Sequence, residues 1–108
     1  TYFNKGLKDE AMLEYKKALQ IMPNSVEAHF NLGNVYLIRG SLQEAMIEYK
    51  KVISINPKYI AGRYNLGVIY QKLGNLNMAI SCWKQTLKID SKYAPALQSI
   101  QKFGGESR

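Results

Sequence analysis

His29 and Cys82, the only histidine and the only cysteine in this 108-residue chain, are the side chains best suited to acid–base or nucleophilic work near neutral pH. A catalytic triad needs a nucleophile, a base and an orienting group within hydrogen-bond reach. Cys82 stands beside Trp83 and two positions after Ile80, with no histidine near it in sequence. A buried or half-buried thiol is expected there, and His29 reads as a semi-exposed residue on a helix. Zinc takes three or four nitrogen, sulfur or oxygen ligands, and one histidine with one cysteine leaves most of that set unfilled. Asp90 has few acidic neighbours, and the glycines occur singly rather than in a phosphate-cradling loop. The inventory predicts no catalytic residue, no metal site, no cofactor and therefore no enzyme.

The net charge of +7 raises the question of nucleic acid. Its basic residues are scattered along the chain, and Glu14 precedes Lys17, and Glu48 precedes Lys51, at the spacing of helical surface pairs. Solvated helix faces are expected, with neither nucleic-acid binding nor membrane insertion. No stretch approaches the roughly 18 apolar residues of a membrane span. The opening residues Thr1–Gly6 lack a signal-peptide pattern and an initiator Met, so a piece of a longer chain is expected. A lone cysteine fits a reducing, cytoplasmic setting.

What could position a functional surface emerges when the sequence is laid against itself. Val26 to Tyr59 aligns without a gap on Ile60 to Tyr93, a shift of 34 residues. Asn31/Asn65, Leu32/Leu66, Gly33/Gly67, Tyr36/Tyr70, Gly40/Gly74, Ala45/Ala79 and Lys50/Lys84 are identical across it. The same shift backwards places Tyr2, Gly6, Ala11, Tyr15 and Pro23 beneath Tyr36, Gly40, Ala45, Tyr49 and Pro57.

Each copy reads as a helical hairpin. Leu32, Val35, Tyr36 and Ile38 recur at helical spacing, and Gly40 supplies the turn conformation that stops the first helix. Ser41 and Glu44 form a predicted capping box for the second helix, and Asn56-Pro57 ends it. In the next copy Gly74-Asn75 is the turn, and Asp90-Ser91 stands where the proline would. Gly33 and Gly67 lie in helix interiors, where glycine costs up to about 1 kcal/mol against alanine. Close approach of the paired helix, opposite Ala45 and Ala79, is the expected compensation, with Tyr49 and Trp83 filling the space around it.

Leu-Gly-x-x-Tyr, then Ala-x-x-x-aromatic, then Pro, is carried by Leu32-Gly33, Tyr36, Ala45, Tyr49 and Pro57, and again by Leu66-Gly67, Tyr70, Ala79 and Trp83. This pattern resembles the tetratricopeptide repeat family over roughly residues 1 to 93. The departures are His29 and Arg63 where the family often has Trp, and Ser91 in place of the last proline. The resemblance implies an all-α, right-handed superhelical array of antiparallel hairpins. Its expected parts are a partial first repeat over 1–25 (the end of a first helix and a second helix, Leu7–Ile21), repeats over 26–59 and 60–93, a terminal helix over 94–103 and a tail over 104–108. The terminal helix, with an apolar stripe of Ala96, Leu97, Ile100 and Phe103, is either a cap or the start of a further repeat.

First helices of this family line a concave groove that binds a protein or peptide ligand. The positions so implied are Phe30, Asn31, Asn34, Leu37 and Ile38 in one copy and Tyr64, Asn65, Val68, Gln71 and Lys72 in the next. Glu27, Ala61, Phe3, Asn4, Gln98 and Lys102 extend the set. An apolar patch of this kind marks an interaction site, unless its residues merely touch each other and extend the core. Asn31 and Asn65 either hydrogen-bond an extended peptide or tie adjacent helices together. The clamp with which some members grip an acidic C-terminus finds its asparagines in Asn34 and Asn65, but Phe30, Pro95 and Ser99 stand at its cationic positions, so no such clamp is expected. The implied function is a non-enzymatic interaction scaffold, or alternatively the substrate-recognition arm of a larger enzyme such as a protein O-glycosyltransferase. The incomplete first repeat leaves an apolar face through which self-association is expected.

Overall fold

The computed structural model describes the backbone of residues 2–104 and the side chains of residues 9–103. Among the described residues there are helices and no strand: α1 (Tyr2–Ile21), α2 (Val26–Arg39), α3 (Leu42–Ile55), α4 (Ile60–Lys72), α5 (Leu76–Ile89) and α6 (Ala94–Ser99), followed by a π-helical turn, Ile100–Gly104. The chain divides into two compact units, Thr1–Pro57 and Lys58–Arg108.

In the first unit α2 and α3 form the hairpin and α1 packs on α2. Ser25 caps α2, its Oγ accepting from the Ala28 N–H at 3.2 Å. The α2–α3 turn follows from one residue, Gly40, at φ 83°. In that left-handed conformation the Gly40 N–H reaches the Leu37 carbonyl at 3.1 Å and the Ser41 N–H reaches that of Tyr36 at 2.8 Å. The α4–α5 turn repeats it: Gly74 sits at φ 87°, and Gly74 and Asn75 donate to Gln71 and Tyr70 at 3.1 and 2.8 Å. The helix starts differ. Asn75 Oδ1 accepts from the Met78 N–H at 3.2 Å, whereas the Ser41 side chain makes no capping hydrogen bond, so the predicted box with Glu44 does not form. Glu48, predicted to pair with Lys51, turns instead to His29.

The interior glycines do what their position required. A Cβ on Gly33 would lie 2.7 Å from the Tyr49 ring, and one on Gly67 would lie 2.6 Å from Trp83 Nε1 and 3.1 Å from the Ala79 carbonyl. The ring of the second helix thus lies in a notch that only glycine leaves open. Tyr49 and Trp83 are fully buried there, together with Ala45 and Ala79. Burying a ring of that size is worth roughly 4–6 kcal/mol of transfer free energy as an upper figure. Trp83 Nε1 donates to the Tyr64 carbonyl at 3.3 Å, and the Tyr49 hydroxyl donates to Asn34 Oδ1, so neither polar edge is left dry.

Four expectations need correction. The second helix of the first repeat was expected over Leu7–Ile21, after the end of a separate first helix, yet α1 runs as one helix from Tyr2 to Ile21. His29 is not semi-exposed but 5% exposed, with Nε2 donating to the Pro23 carbonyl and Nδ1 facing Glu48 Oε1, both at 2.7 Å. Both ring nitrogens face acceptor oxygens, an arrangement fully matched when each nitrogen carries a proton. The third correction is the unformed capping box at Ser41. Finally Leu97, placed on the terminal stripe, is 47% exposed. The last helix packs mainly on α5, and a single neighbour buries only a narrow face, here Ala96, Ile100 and Phe103.

Those last residues close the second unit. Phe103 stacks on Trp83 at 5.8 Å, and Tyr93 meets Tyr64 edge-on at 5.7 Å. Burial first, and then Tyr64 and Asp90, push the Tyr93 phenol above its ordinary value of 10.0.

These contacts set three expected outcomes. Gly67→Ala gains up to about 1 kcal/mol of helix propensity but overpacks the Trp83 notch, and a net loss of about 1–3 kcal/mol in urea unfolding is expected. Trp83, the only tryptophan, reports it by fluorescence; equal or greater stability in the alanine variant would contradict the notch. His29→Ala strands Glu48 and the Pro23 carbonyl, and a cost of about 1–3 kcal/mol is expected from the same titration. A raised folded-state value means that Tyr93 stabilises the fold fully below pH about 10 and loses that contribution as pH rises through its folded value. Tyr93→Phe should therefore flatten the fall in thermal midpoint above about pH 10. Parallel curves for the two proteins would remove Tyr93 from that role.

Candidate functional site

The residues with groove positions fall into two sets, one in each unit. In the first, α2 holds Phe30, Asn31, Asn34 and Leu37 half-buried and leaves Ile38 63% exposed. Phe30 lies against Tyr49 with ring centroids 5.9 Å apart, and Asn34 receives the Tyr49 hydroxyl. Both side chains are thereby fixed by the ring in the Gly33 notch. Glu27 is exposed beside them, while Phe3 and Asn4 lie outside the residues whose side chains are described.

The second unit repeats the arrangement and adds to it. Tyr64 occupies the place of Phe30 one repeat on, and its ring lies 6.2 Å from that of Trp83. Tyr64, Asn65 and Val68 are half-buried along α4, with Ala61 and Gln71 also half-buried and Lys72 exposed. Val68 packs against the Ala79, Trp83 and Ala96 cluster, so part of this apolar surface does extend the core. What the last helix adds is a wall. Tyr64, Val68 and Gln71 on one side, and Pro95, Gln98, Ser99, Lys102 and Phe103 on the other, enclose a cleft of about 340 Å³ floored by Trp83. Tyr64 and Ser99 close a hydrogen bond across it at 3.0 Å.

Three of the predicted positions, Tyr64, Val68 and Gln71, thus meet the extended positions Gln98 and Lys102 in one cleft. The residues that sequence reasoning left out are Trp83, assigned to the core, and Phe103, assigned to a covering stripe. The signal for both was present: the repeat register continues past Tyr93, so that Ala94 onwards had to face α4.

The floor of the cleft is aromatic, its rim offers two amides, a hydroxyl and one ammonium, and no carboxylate lines it. The Lys102 ammonium sits 5.5 Å from the Phe103 centroid, within cation–π range. His29 and Cys82 lie elsewhere: His29 is locked between Glu48 and Pro23, and the Cys82 thiol is buried. No group of three or more His, Cys, Asp or Glu able to hold a metal occurs among the described residues. No helix among them is long and apolar enough to cross a membrane.

Comparison with known proteins places this geometry. The TPR repeat family model matches residues 1–37 and 33–74, and the tetratricopeptide repeat model matches residues 60–93. No curated protein sequence matches the chain. Among solved structures, MamA superposes with a TM-score of 0.86 at 28% identity, over 98% of this chain and 63% of that one. The first TPR of Spaghetti (RPAP3), bound to the HSP90 peptide SRMEEVD, gives 0.88 at 20% identity over 97% and 83%. YrrB, a TPR protein with an unusual peptide-binding site, gives 0.83 at 23% identity over 92% and 51%. The chain therefore spans less than two thirds of MamA and about half of YrrB. With repeat models matched in succession from residue 1 to residue 93, and with glycine-notched hairpins behind each match, the chain belongs to the tetratricopeptide repeat family.

Proposed function

We propose that the chain is a non-enzymatic interaction scaffold and that the aromatic cleft of its second unit holds a peptide of a partner protein. The observation that carries this reading is the convergence of Tyr64, Val68 and Gln71 with Gln98 and Lys102 around the Trp83 floor. Fixed aromatic surface gives contact area at small entropic cost, because the half-buried Tyr64 and Phe103 rings are already ordered by the buried Trp83 beneath them. Amides at the rim suit the backbone of an extended peptide, and the exposed parts of Tyr64 and Phe103 suit one apolar side chain of it. The equivalent positions on α2, Phe30, Asn34, Leu37 and Ile38, offer a similar apolar and amide surface in the first unit. Solved relatives of the same fold include two described by their peptide sites, which supports a peptide as the class of ligand.

An acidic C-terminus gripped through cations is the less suitable ligand. Phe30, Pro95 and Ser99 stand where such a grip needs Lys or Arg, and Ser99 is engaged by Tyr64. Attachment to a catalytic domain would change which protein the peptide comes from, not how these repeats hold it.

The test uses exposed or rim residues, because truncating Tyr64 or Phe30 would also strip the aromatic core. Peptides selected from a random display library on the intact chain are titrated against Gln71→Ala/Gln98→Ala/Lys102→Ala, with the fold checked by circular dichroism. A loss of affinity of about tenfold or more is expected, the size of one to two lost hydrogen bonds. No selected peptide, or peptides that bind the triple variant equally well, would sink the assignment of the cleft.

A further inference from the structure

The charge of this chain is unevenly placed. Residues 58–108 contain eight Lys and Arg against two acidic residues, Asp90 and Glu106, a net +6 of the chain's +7. The internal duplication shows how that arises. Glu27, Glu44 and Glu48 of one copy become Ala61, Met78 and Cys82 at the same positions of the next. Lys50 persists as Lys84, Ser54 becomes Lys88 and His29 becomes Arg63. Every carboxylate on the helices of the first hairpin is lost from the second, while the backbone of the hairpin is kept.

Two of these cations, Lys84 and Lys88, share one face of α5. Asn77, Ile80, Ser81, Lys84, Gln85 and Lys88 follow each other at helical spacing along a shallow depression of about 530 Å³. Ile80 is half-buried at its centre, and the other five are exposed. The Arg63 guanidinium of α4 is held beside them by Gln85 at 2.6 Å. None of these residues lines the aromatic cleft, which draws only Trp83 from α5.

We propose that this stripe is a second docking surface, separate from the cleft, for an acidic helical segment of a partner protein. Lys84 and Lys88 are one helical turn apart, so their ammonium groups repel each other, and neither α4 nor α5 carries a carboxylate to relieve them. Glutamates at four-residue spacing on a partner helix match that separation, and an apolar side chain between them meets Ile80. Complementary charge of this kind steers association and fixes register more than it adds raw affinity. Nucleic acid fits less well. Three cations release few counterions, and no aromatic side chain lines the stripe to stack a base. A membrane surface fits less well still, since the stripe lacks the large apolar side chains that would enter the headgroup layer.

The experiment titrates a labelled alanine-based helical peptide, with glutamates at four-residue spacing and one leucine stripe, by fluorescence anisotropy. A single-stranded oligonucleotide of equal charge is titrated beside it. Expected are binding that weakens with salt and a loss of about tenfold or more in Lys84→Glu/Lys88→Glu. The milder Lys84→Gln/Lys88→Gln variant should lose part of that affinity and guards against a folding defect. Lys50→Glu/Lys51→Glu on α3, and the cleft variant Gln98→Ala/Lys102→Ala, should each change it less than about twofold. The last comparison keeps this surface distinct from the peptide cleft, whichever of the two fails. Affinity unchanged by reversal on α5, or lost equally by reversal on α3, overturns the proposal. So does an oligonucleotide that binds as tightly as the peptide.

Discussion

Each hairpin of this chain is built around an aromatic ring set into a glycine. Tyr49 fills the notch at Gly33 and Trp83 the notch at Gly67, with gaps that a single methyl group would close. The consequence is structural economy. The two helices approach closely enough for Ala45 and Ala79 to be fully buried, and the ring supplies the apolar area that so short a pair of helices otherwise lacks. The cost of glycine inside a helix, about 1 kcal/mol, is small against that burial.

The same rings connect stability to recognition. Phe30 and Tyr64, half-buried at the proposed groove positions, rest on Tyr49 and Trp83. Asn34 takes the Tyr49 hydroxyl, and the Trp83 indole donates to the Tyr64 backbone. A ligand seated on these side chains touches atoms whose other side is core. The surface is therefore ordered before any ligand arrives, which lowers the entropic cost of binding. It also means that groove and core cannot be varied independently through the aromatic positions. Only the rim, Gln71, Gln98, Lys102 and their neighbours, is free of that coupling.

How much of this was legible follows from where each contact is encoded. The turns at Gly40 and Gly74 and the notches at Gly33 and Gly67 could be read, because the repeat places each glycine at a fixed distance from its ring. Tyr64, Val68 and Gln71 are placed on one face through the family resemblance and not through that spacing. His29 could not be read in either way. Its burial depends on Glu48 and on the Pro23 carbonyl, partners that differ from those of Arg63 at the equivalent position, so the repeat carries no information about them. The uncapped Ser41 was hidden because it looks in sequence like Ser25 and Asn75, which do form the bond. The part of the site that went unread, Phe103 stacked on Trp83, depends on a π-helical turn at Ile100–Gly104. A turn of that kind has no counterpart elsewhere in the repeat.

Two copies of one hairpin also separate what the fold requires from what it leaves open. Glycine, alanine and a large ring recur at matching positions, and the geometry recurs with them, down to equal hydrogen-bond lengths in the Gly40 and Gly74 turns. The carboxylates do not recur. Their replacement by Ala61, Met78 and Cys82 leaves the helices and the notch intact, so the folding of the second hairpin does not depend on its charge. A basic helix face retained without acidic neighbours gains nothing from intrahelical pairing and bears the repulsion of Lys84 and Lys88. The C-terminal end of α5 favours the Lys88 charge but does nothing for Lys84 one turn earlier, and a negatively charged neighbour is the arrangement that relieves both.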